Sequence, residues 1–117
     1  MITVATLRLL VEHDPETGVF RWRARPRSMA ARDRLWMAWN TRYAGTLALN
    51  SADANGYRYS RIAQKKIYAH RAALALVTGE WPEEVDHING DPSDNRITNL
   101  RPVTHRENGK NVGSVSV

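Results

Sequence analysis

Four residues in the last third of the chain have the types and spacing of a catalytic set. Asp86 and His87 are adjacent, Asn99 follows 12 residues after the histidine, and Asn108 follows 9 residues after that. Because an imidazole has an ordinary pKa of about 6.5, His87 is a candidate general base for water near neutral pH. Asp86 and Asn108 offer oxygen ligands, which suit a hard cation such as Mg²⁺ or Mn²⁺ better than Zn²⁺. Together these residues predict hydrolysis assisted by one metal ion, with water as the nucleophile.

The segment that must position this set predicts a strand, a loop, a second strand and a helix. Val85 and Ile88 flank the Asp-His pair, a run rich in Gly, Asp, Pro, Ser and Asn follows, and the apolar segment 97–103 comes next. Thr104 and Glu107 have the spacing of a capping box, in which each side chain satisfies a free amide at a helix start. The final helix is therefore expected to begin near residue 105.

Asp86 and His87 pose a geometric problem for a shared site. Adjacent residues of a strand point to opposite faces, so the two side chains serve one site only if the strand ends, twists or bulges there. The Asn-Gly and Asp-Pro pairs that follow favour a strand ending at Ile88.

The spacing of Asp86, His87, Asn99 and Asn108 resembles the HNH motif of the His-Me finger nucleases. The resemblance covers most of the chain and is weakest between residues 26 and 54. Four flanking segments also resemble the small HNH endonucleases that are common in phages and prophages: residues 14–22, 69–71, 79–82 and 94–96.

This resemblance implies an α+β fold: a small antiparallel sheet with helices and a C-terminal ββα-metal motif. It implies that Asp86 and Asn108 hold one divalent ion, that His87 activates water, and that Asn99 holds the metal-site loop together by hydrogen bonds. Many relatives carry a His in place of Asn108, so the asparagine here favours Mg²⁺ or Mn²⁺. The implied reaction is hydrolysis of a DNA phosphodiester, which leaves 5′-phosphate and 3′-hydroxyl ends. One motif offers one cut, so a monomer should nick and a homodimer would be needed for a double-strand break.

The charge distribution predicts an anionic partner. The net charge is +5, and residues 21–66 carry most of the basic side chains, whereas residues 80–94 contain acids and no Lys or Arg. A basic surface beside an acidic loop is expected for contacts to the phosphates of double-stranded DNA next to a cation site, although a solvated charged surface is the alternative. Seven residues are the candidates for phosphate contacts: Arg58, Arg61, Lys65, Lys66, Arg71, Arg101 and Arg106.

The composition argues against several other classes of protein. The chain has no cysteine, which excludes disulfides and Cys-based zinc sites. No apolar run approaches the ~20 residues of a membrane span, and the first residues lack the pattern of a signal peptide. We therefore expect a cytoplasmic protein without a membrane partner, and the resemblance adds a bacterial host cell and a phage or prophage origin.

The length of 117 residues predicts a single domain. We expect an N-terminal helix and basic sheet over 1–68, a helix and catalytic core over 69–111, and a frayed tail over 112–117. The apolar residues of segment 26–43 follow no regular period, so the sequence predicts either a loop or a helix there. The other predicted elements are a helix at 3–13 capped by Thr3, a turn at 14–18, and a helix at 70–78 stopped by Gly79. Strands are predicted at 19–23, 44–48, 56–62 and 66–68, with the last three in an antiparallel sheet of three or four strands.

Two further functions remain open from the sequence. One is a catalytically idle DNA-binding or inhibitor protein on an HNH scaffold, which the intact set of Asp86, His87, Asn99 and Asn108 argues against. The other is an RNA-directed nuclease or RNA binder, because phosphate contacts do not distinguish the two backbones. His70 also has two interpretations, support of the catalytic hairpin or a contact to phosphate.

Overall fold

The computed structural model describes residues 2–104, and its first element is helix α1 (Val4–Leu10). Thr3 caps this helix as predicted, because its hydroxyl accepts a hydrogen bond from the amide of Thr6 at 3.1 Å. The prediction of a helix as far as residue 13 was wrong. Residues 11–13 instead form strand β1 (Val11–His13), since pairing with the next strand satisfies their backbone groups and still buries Val11.

A tight turn at residues 14–18 joins β1 to strand β2 (Phe20–Trp22), as the sequence predicted. The amide of Gly18 donates to the carbonyl of Asp14 at 2.8 Å, and the φ of Gly18 is +79°, a conformation that favours glycine. Strand β3 (Leu47–Ala48) pairs with the other edge of β2, which completes a three-stranded antiparallel sheet.

The segment between β2 and β3 contains a helix, which settles the question that the sequence left open. After a single 3₁₀ turn at Arg27–Met29, helix α2 spans Asp33–Tyr43 and buries none of its side chains. Two tryptophans attach it to β2 and to the segment that follows β2. The Trp36 indole donates to the carbonyl of Arg25 at 2.7 Å, and the Trp39 ring lies edge-on to Trp22 with 5.8 Å between ring centroids.

A second antiparallel sheet contains strands β4 (Ser51–Ala52), β5 (Arg58–Ile62) and β6 (Lys65–Tyr68). The expectation that the strand near 44–48 joins this sheet was wrong. Leu49 has a φ of +52°, which turns the chain between β3 and β4 and sends β3 to the first sheet. Ala63 and Gln64 also have positive φ, the geometry of a two-residue hairpin turn between β5 and β6.

Helix α3 (Ala69–Thr78) is the central element of the core and ends at Gly79, as predicted. Its buried alanines allow close packing against α1, against β5 and β6, and against a third sheet. That sheet is a hairpin of β7 (Glu84–His87) and β8 (Leu100–Val103), with a 3₁₀ turn at Ile97–Asn99 just before β8. The predicted order of strand, loop and second strand is confirmed.

The α+β class with small antiparallel sheets and helices is confirmed. The helix expected near residue 105 and the tail at 112–117 lie outside the described residues. Among residues 2–104, no helix has the length and hydrophobicity that a membrane span requires.

The turn at residues 14–18 packs directly against the loop that precedes β8, and this contact predicts an unequal response of two glycines. A Cβ on Gly18 would lie 2.5 Å from the carbonyl carbon of Asn95, whereas a Cβ on Gly45 would meet nothing within 4 Å. Both glycines have similar positive φ, +79° and +83°, so their alanine variants share the conformational penalty. We expect Gly45→Ala to lower the free energy of unfolding by about 1 kcal/mol and Gly18→Ala by about 2–4 kcal/mol. Urea unfolding measures both values, and equal losses would contradict the close packing.

Candidate active site

The end of strand β7 places two charged or titratable side chains inside the protein. Asp86 is 1% exposed and His87 is fully buried. Arg101 faces Asp86 in the register of the hairpin, and its guanidinium donates to Oδ2 of the carboxylate. This ion pair offsets part of the cost of burying the Asp86 charge. The other carboxylate oxygen, Oδ1, is buried and has no hydrogen-bond partner among residues 2–104.

His87 has one ring nitrogen engaged and one without a partner. Nε2 lies 3.0 Å from the side-chain oxygen of Asn95, which is itself 4% exposed. Nδ1 is buried, and no described residue forms a hydrogen bond with it. Because a carboxamide oxygen only accepts hydrogen bonds, this contact requires a proton on Nε2. In a neutral ring, Nδ1 then carries the lone pair that can take a proton.

Asn99 links the two ends of the loop between β7 and β8. Its side-chain oxygen accepts from the amide of Asn89 at 3.0 Å, and its Nδ2 donates to Oδ1 of Asn89 at 3.0 Å and to the carbonyl of Asp94 at 2.9 Å. The backbone adds a hydrogen bond from the amide of Ile88 to the Asn99 carbonyl at 2.9 Å. These contacts have the loop-holding form that the resemblance implies for Asn99, and its part in catalysis stays a prediction.

Three aromatic or imidazole rings form a packed cluster behind the catalytic hairpin. The ring centroids of His70 and Tyr57 lie 5.0 Å and 5.8 Å from that of His87. Burial is the main cause that lowers the pKa of His70 from 6.5 to about 4, and the charge of Arg71 adds to it. A partly buried imidazole that stays neutral near pH 7 favours the interpretation of His70 as support for the hairpin over a contact to phosphate.

Tyr57 is the described residue that connects both members of the Asp-His pair. Its ring contacts His87, and its pKa is raised by burial first and then by the negative charges of Asp53 and Asp86. Tyr57 directly precedes β5, so the start of the second sheet lies close to the end of β7.

Four of the predicted phosphate-binding residues lie on the second sheet. Arg61, Lys65 and Lys66 are exposed, and Arg58 is partly buried with a contact of 3.5 Å to the carbonyl of Asn50. The strand ends next to Tyr57 and Tyr68 approach the ring cluster, whereas the turn that carries Lys65 lies at the opposite end of the sheet. Arg61 and Lys66 are cross-strand partners on one face of this sheet, whereas Arg58 and Lys65 lie on the opposite face.

The other three candidates for phosphate contacts differ from this group. The Arg71 guanidinium donates to the carbonyl of Pro82 at 2.8 Å and lies 5.7 Å from the centroid of the Trp81 ring, which gives it a structural role. Arg101 is engaged by Asp86. Arg106 lies outside the described residues, and so does the predicted metal ligand Asn108.

Asn95 is the residue whose place in the site the sequence did not reveal. Asp91 and Asp94 accept hydrogen bonds from nearby backbone amides, as short polar loop residues commonly do, but the Asn95 side chain crosses the loop to His87. Asn95 lies in the Asp-Asn-Arg segment at 94–96, and nothing in that segment indicates which side chain turns inward.

The match to a family model coincides with this hairpin. Residues 67–110 match the model of a family described as HNH endonuclease. The match is a similarity to HNH endonucleases over a little more than a third of the chain. It includes β7, β8 and α3, together with Asp86, His87, Asn99 and Asn108.

A solved structure has a similar fold over nearly the whole chain. It is described as "DNA binding and cleavage by the HNH homing endonuclease I-HmuI", with a TM-score of 0.53 and 21% sequence identity. The alignment covers 97% of this chain and 57% of that one, so the present chain spans a little over half the length of its structural relative. At this identity the likeness concerns the fold. No curated protein matches the chain.

HNH nucleases generally use a divalent metal, and the Asp86 carboxylate fits such an ion. Its Oδ1 is a buried oxygen without a partner among the described residues, which is the ligand type that a hard cation prefers. The described residues contain no group of three or more His, Cys, Asp or Glu side chains that could hold a metal by itself. A site at Asp86 would therefore need the Asn108 oxygen and water to complete it.

The low pKa of His70 predicts a specific loss of stability in acid. The unfolded chain takes up a proton on His70 below about pH 6.5, while the folded protein resists protonation until about pH 4. Lowering the pH from 7 to 5 should therefore reduce the free energy of unfolding by about 2 kcal/mol through this residue. In His70→Phe that contribution is absent, so urea unfolding at the two pH values should show a shallower dependence than in the wild type. Equal dependence in both proteins would contradict the partly buried, neutral His70.

Proposed function

We propose that this protein is a metal-dependent endonuclease that hydrolyses phosphodiester bonds of double-stranded DNA, and that a monomer nicks. The observation that carries the proposal is the buried Asp86 and His87 pair at the end of β7, each with one polar atom that no described residue engages. Unpartnered buried polar atoms are costly, about 1–3 kcal/mol each, and they are expected where a ligand or reacting group completes the site. The pair lies within the segment that matches HNH endonucleases.

Asp86 and Asn108 would hold one divalent ion, Mg²⁺ or Mn²⁺. When bound, such an ion neutralises the charge that grows on the phosphate and on the departing 3′ oxygen. The chain prepares Asp86 for this task through Arg101, which holds Oδ2 and leaves Oδ1 for the metal. The asparagine at 108 keeps the proposed ligand set to oxygen atoms.

His87 would take the proton from the attacking water. Its Nδ1 has no protein partner, and its Nε2 is held by Asn95, so the ring is fixed while one nitrogen remains basic. Asn99 contributes indirectly, because its hydrogen bonds to Asn89 and Asp94 hold the loop between β7 and β8 together. In-line attack would leave 5′-phosphate and 3′-hydroxyl ends.

Nicking of supercoiled plasmid tests the proposal. The wild-type protein should relax the plasmid in Mg²⁺ or Mn²⁺, and EDTA should abolish the reaction. His87→Ala should lower the rate by about 10²–10⁴-fold with DNA affinity retained, because the base is lost while the phosphate contacts remain. Ile88→Ala is the matched control, since Ile88 is the next residue and its side chain is 53% exposed. Circular dichroism and urea unfolding verify that both variants fold.

Three results would contradict parts of the proposal. Absence of nicking by folded wild-type protein with either metal, together with retained DNA binding, would favour the idle binding module. Cleavage of a structured RNA but not of plasmid would favour an RNA-directed nuclease. Unchanged nicking by His87→Ala would remove His87 as the base.

The basic side chains of β5 and β6 predict the salt dependence of DNA binding. Lys65 and Lys66 are exposed on this sheet, whereas Arg32 and Arg34 are exposed near the start of α2. Lys65→Gln/Lys66→Gln should weaken binding and reduce the slope of log K against log salt by about 2, since each lost phosphate contact contributes about 0.9. Arg32→Gln/Arg34→Gln removes the same charge and should leave the slope nearly unchanged. The reverse pattern, measured by fluorescence anisotropy across salt concentrations, would place DNA on α2 instead.

A further inference from the structure

Asn95 is a buried amide whose side chain and backbone contact two different parts of the site. The side chain is 4% exposed, and its oxygen lies 3.0 Å from Nε2 of His87. The other asparagine of the loop, Asn99, directs its side chain to Asn89 and Asp94. Among residues 2–104, Asn95 is therefore the residue that engages a ring nitrogen of His87.

The backbone around Asn95 is fixed by the N-terminal hairpin. The amide of Ile97 donates to the carbonyl of Pro15 at 2.9 Å. Gly18 lies so close that a Cβ there would be 2.5 Å from the Asn95 carbonyl carbon. Two residues of the N-terminal turn thus hold the loop at Asn95 and just after it.

We propose that Asn95 is a positioning residue that fixes the Nε2-protonated tautomer of His87, and that the turn at residues 14–18 holds Asn95 in place. The tautomer follows from the hydrogen-bonding chemistry of the Asn95 side chain. A carboxamide oxygen accepts a hydrogen bond from Nε2, which requires the proton on that nitrogen and leaves the Nδ1 lone pair free. This inference rests on the proposed function, because it names what orients the proposed base.

The tautomer can be observed in the metal-free protein without any cleavage assay. We expect two-dimensional ¹H–¹⁵N NMR of histidine-labelled protein, at about pH 8, to show His87 protonated on Nε2. Asn95→Asp retains an oxygen acceptor and should keep this tautomer, whereas Asn95→Leu has a similar size without an acceptor and should lose it. A wild-type protein with the proton on Nδ1, or Asn95→Leu with the wild-type pattern, would overturn the proposal.

Kinetics separate positioning from a general structural effect. Asn95→Leu should lower kcat for nicking by about 10–100-fold, the range typical of residues that orient a catalytic or metal-binding histidine, with KM and DNA affinity nearly unchanged. Asn95→Asp should recover part of the loss because it restores the acceptor. Equal kcat values for the two variants would contradict a role through the hydrogen bond.

Gly18→Ala and Gly45→Ala test the part assigned to the N-terminal turn. Both place a side chain at similar positive φ, but the contact with Asn95 occurs at Gly18 alone of the two. Gly18→Ala should shift or broaden the His87 Nε2 signal and lower kcat, and Gly45→Ala should change neither. Identical His87 spectra in the two variants would remove the turn from the proposal, and this comparison remains available if Asn95→Leu fails to fold.

Failure of the proposed function has a different signature. A wild-type protein that does not nick, yet shows the Nε2 tautomer in wild type and its loss in Asn95→Leu, supports the positioning contact and contradicts the nuclease. Nicking with an unchanged tautomer in Asn95→Leu supports the nuclease and contradicts the positioning role.

Discussion

The burial of Asp86 and His87 side by side is the constraint on which the rest of the structure depends. A small core gains little from polar groups, so each of these side chains needs a partner that offsets its lost hydration. Arg101 supplies one from the opposite strand and Asn95 supplies the other from the loop. One oxygen and one nitrogen still have no partner among the described residues, and the metal and water of the proposed function would offset this cost.

The rest of the molecule holds this pair from three directions. The alanine-rich helix α3 lets the hairpin approach closely and contributes the ring of His70, while Tyr57, just before β5, contributes another ring. The turn at 14–18 fixes the loop from the first sheet. The N-terminal half therefore helps to hold the hairpin, and the fold similarity to the solved structure also extends beyond the segment matched by the family model.

The charge of the acidic loop suggests a cation site, but Asp91 and Asp94 of this loop form hydrogen bonds within it. Asp91 accepts hydrogen bonds from Ser93, and Asp94 pairs with Arg96, which is the main reason that the pKa of Asp94 falls to about 2. These carboxylates are engaged in shaping the loop. Of Asp86, Asp91 and Asp94, Asp86 is the one with a buried oxygen that no described residue engages.

The sequence by itself determined what local chemistry controls: the Thr3 cap, the turn at 14–18, the end of α3 at Gly79, and the strand-loop-strand that carries the Asp-His pair. Those features follow from capping groups, positive-φ glycine and short-range patterning. Tertiary structure alone decided that the first helix yields to β1 at Val11, that β3 joins β2, and that Asn95 turns inward to His87. Each of these depends on a partner distant in sequence, and the hydrogen bonds or close packing that select it exist only once the chain has folded.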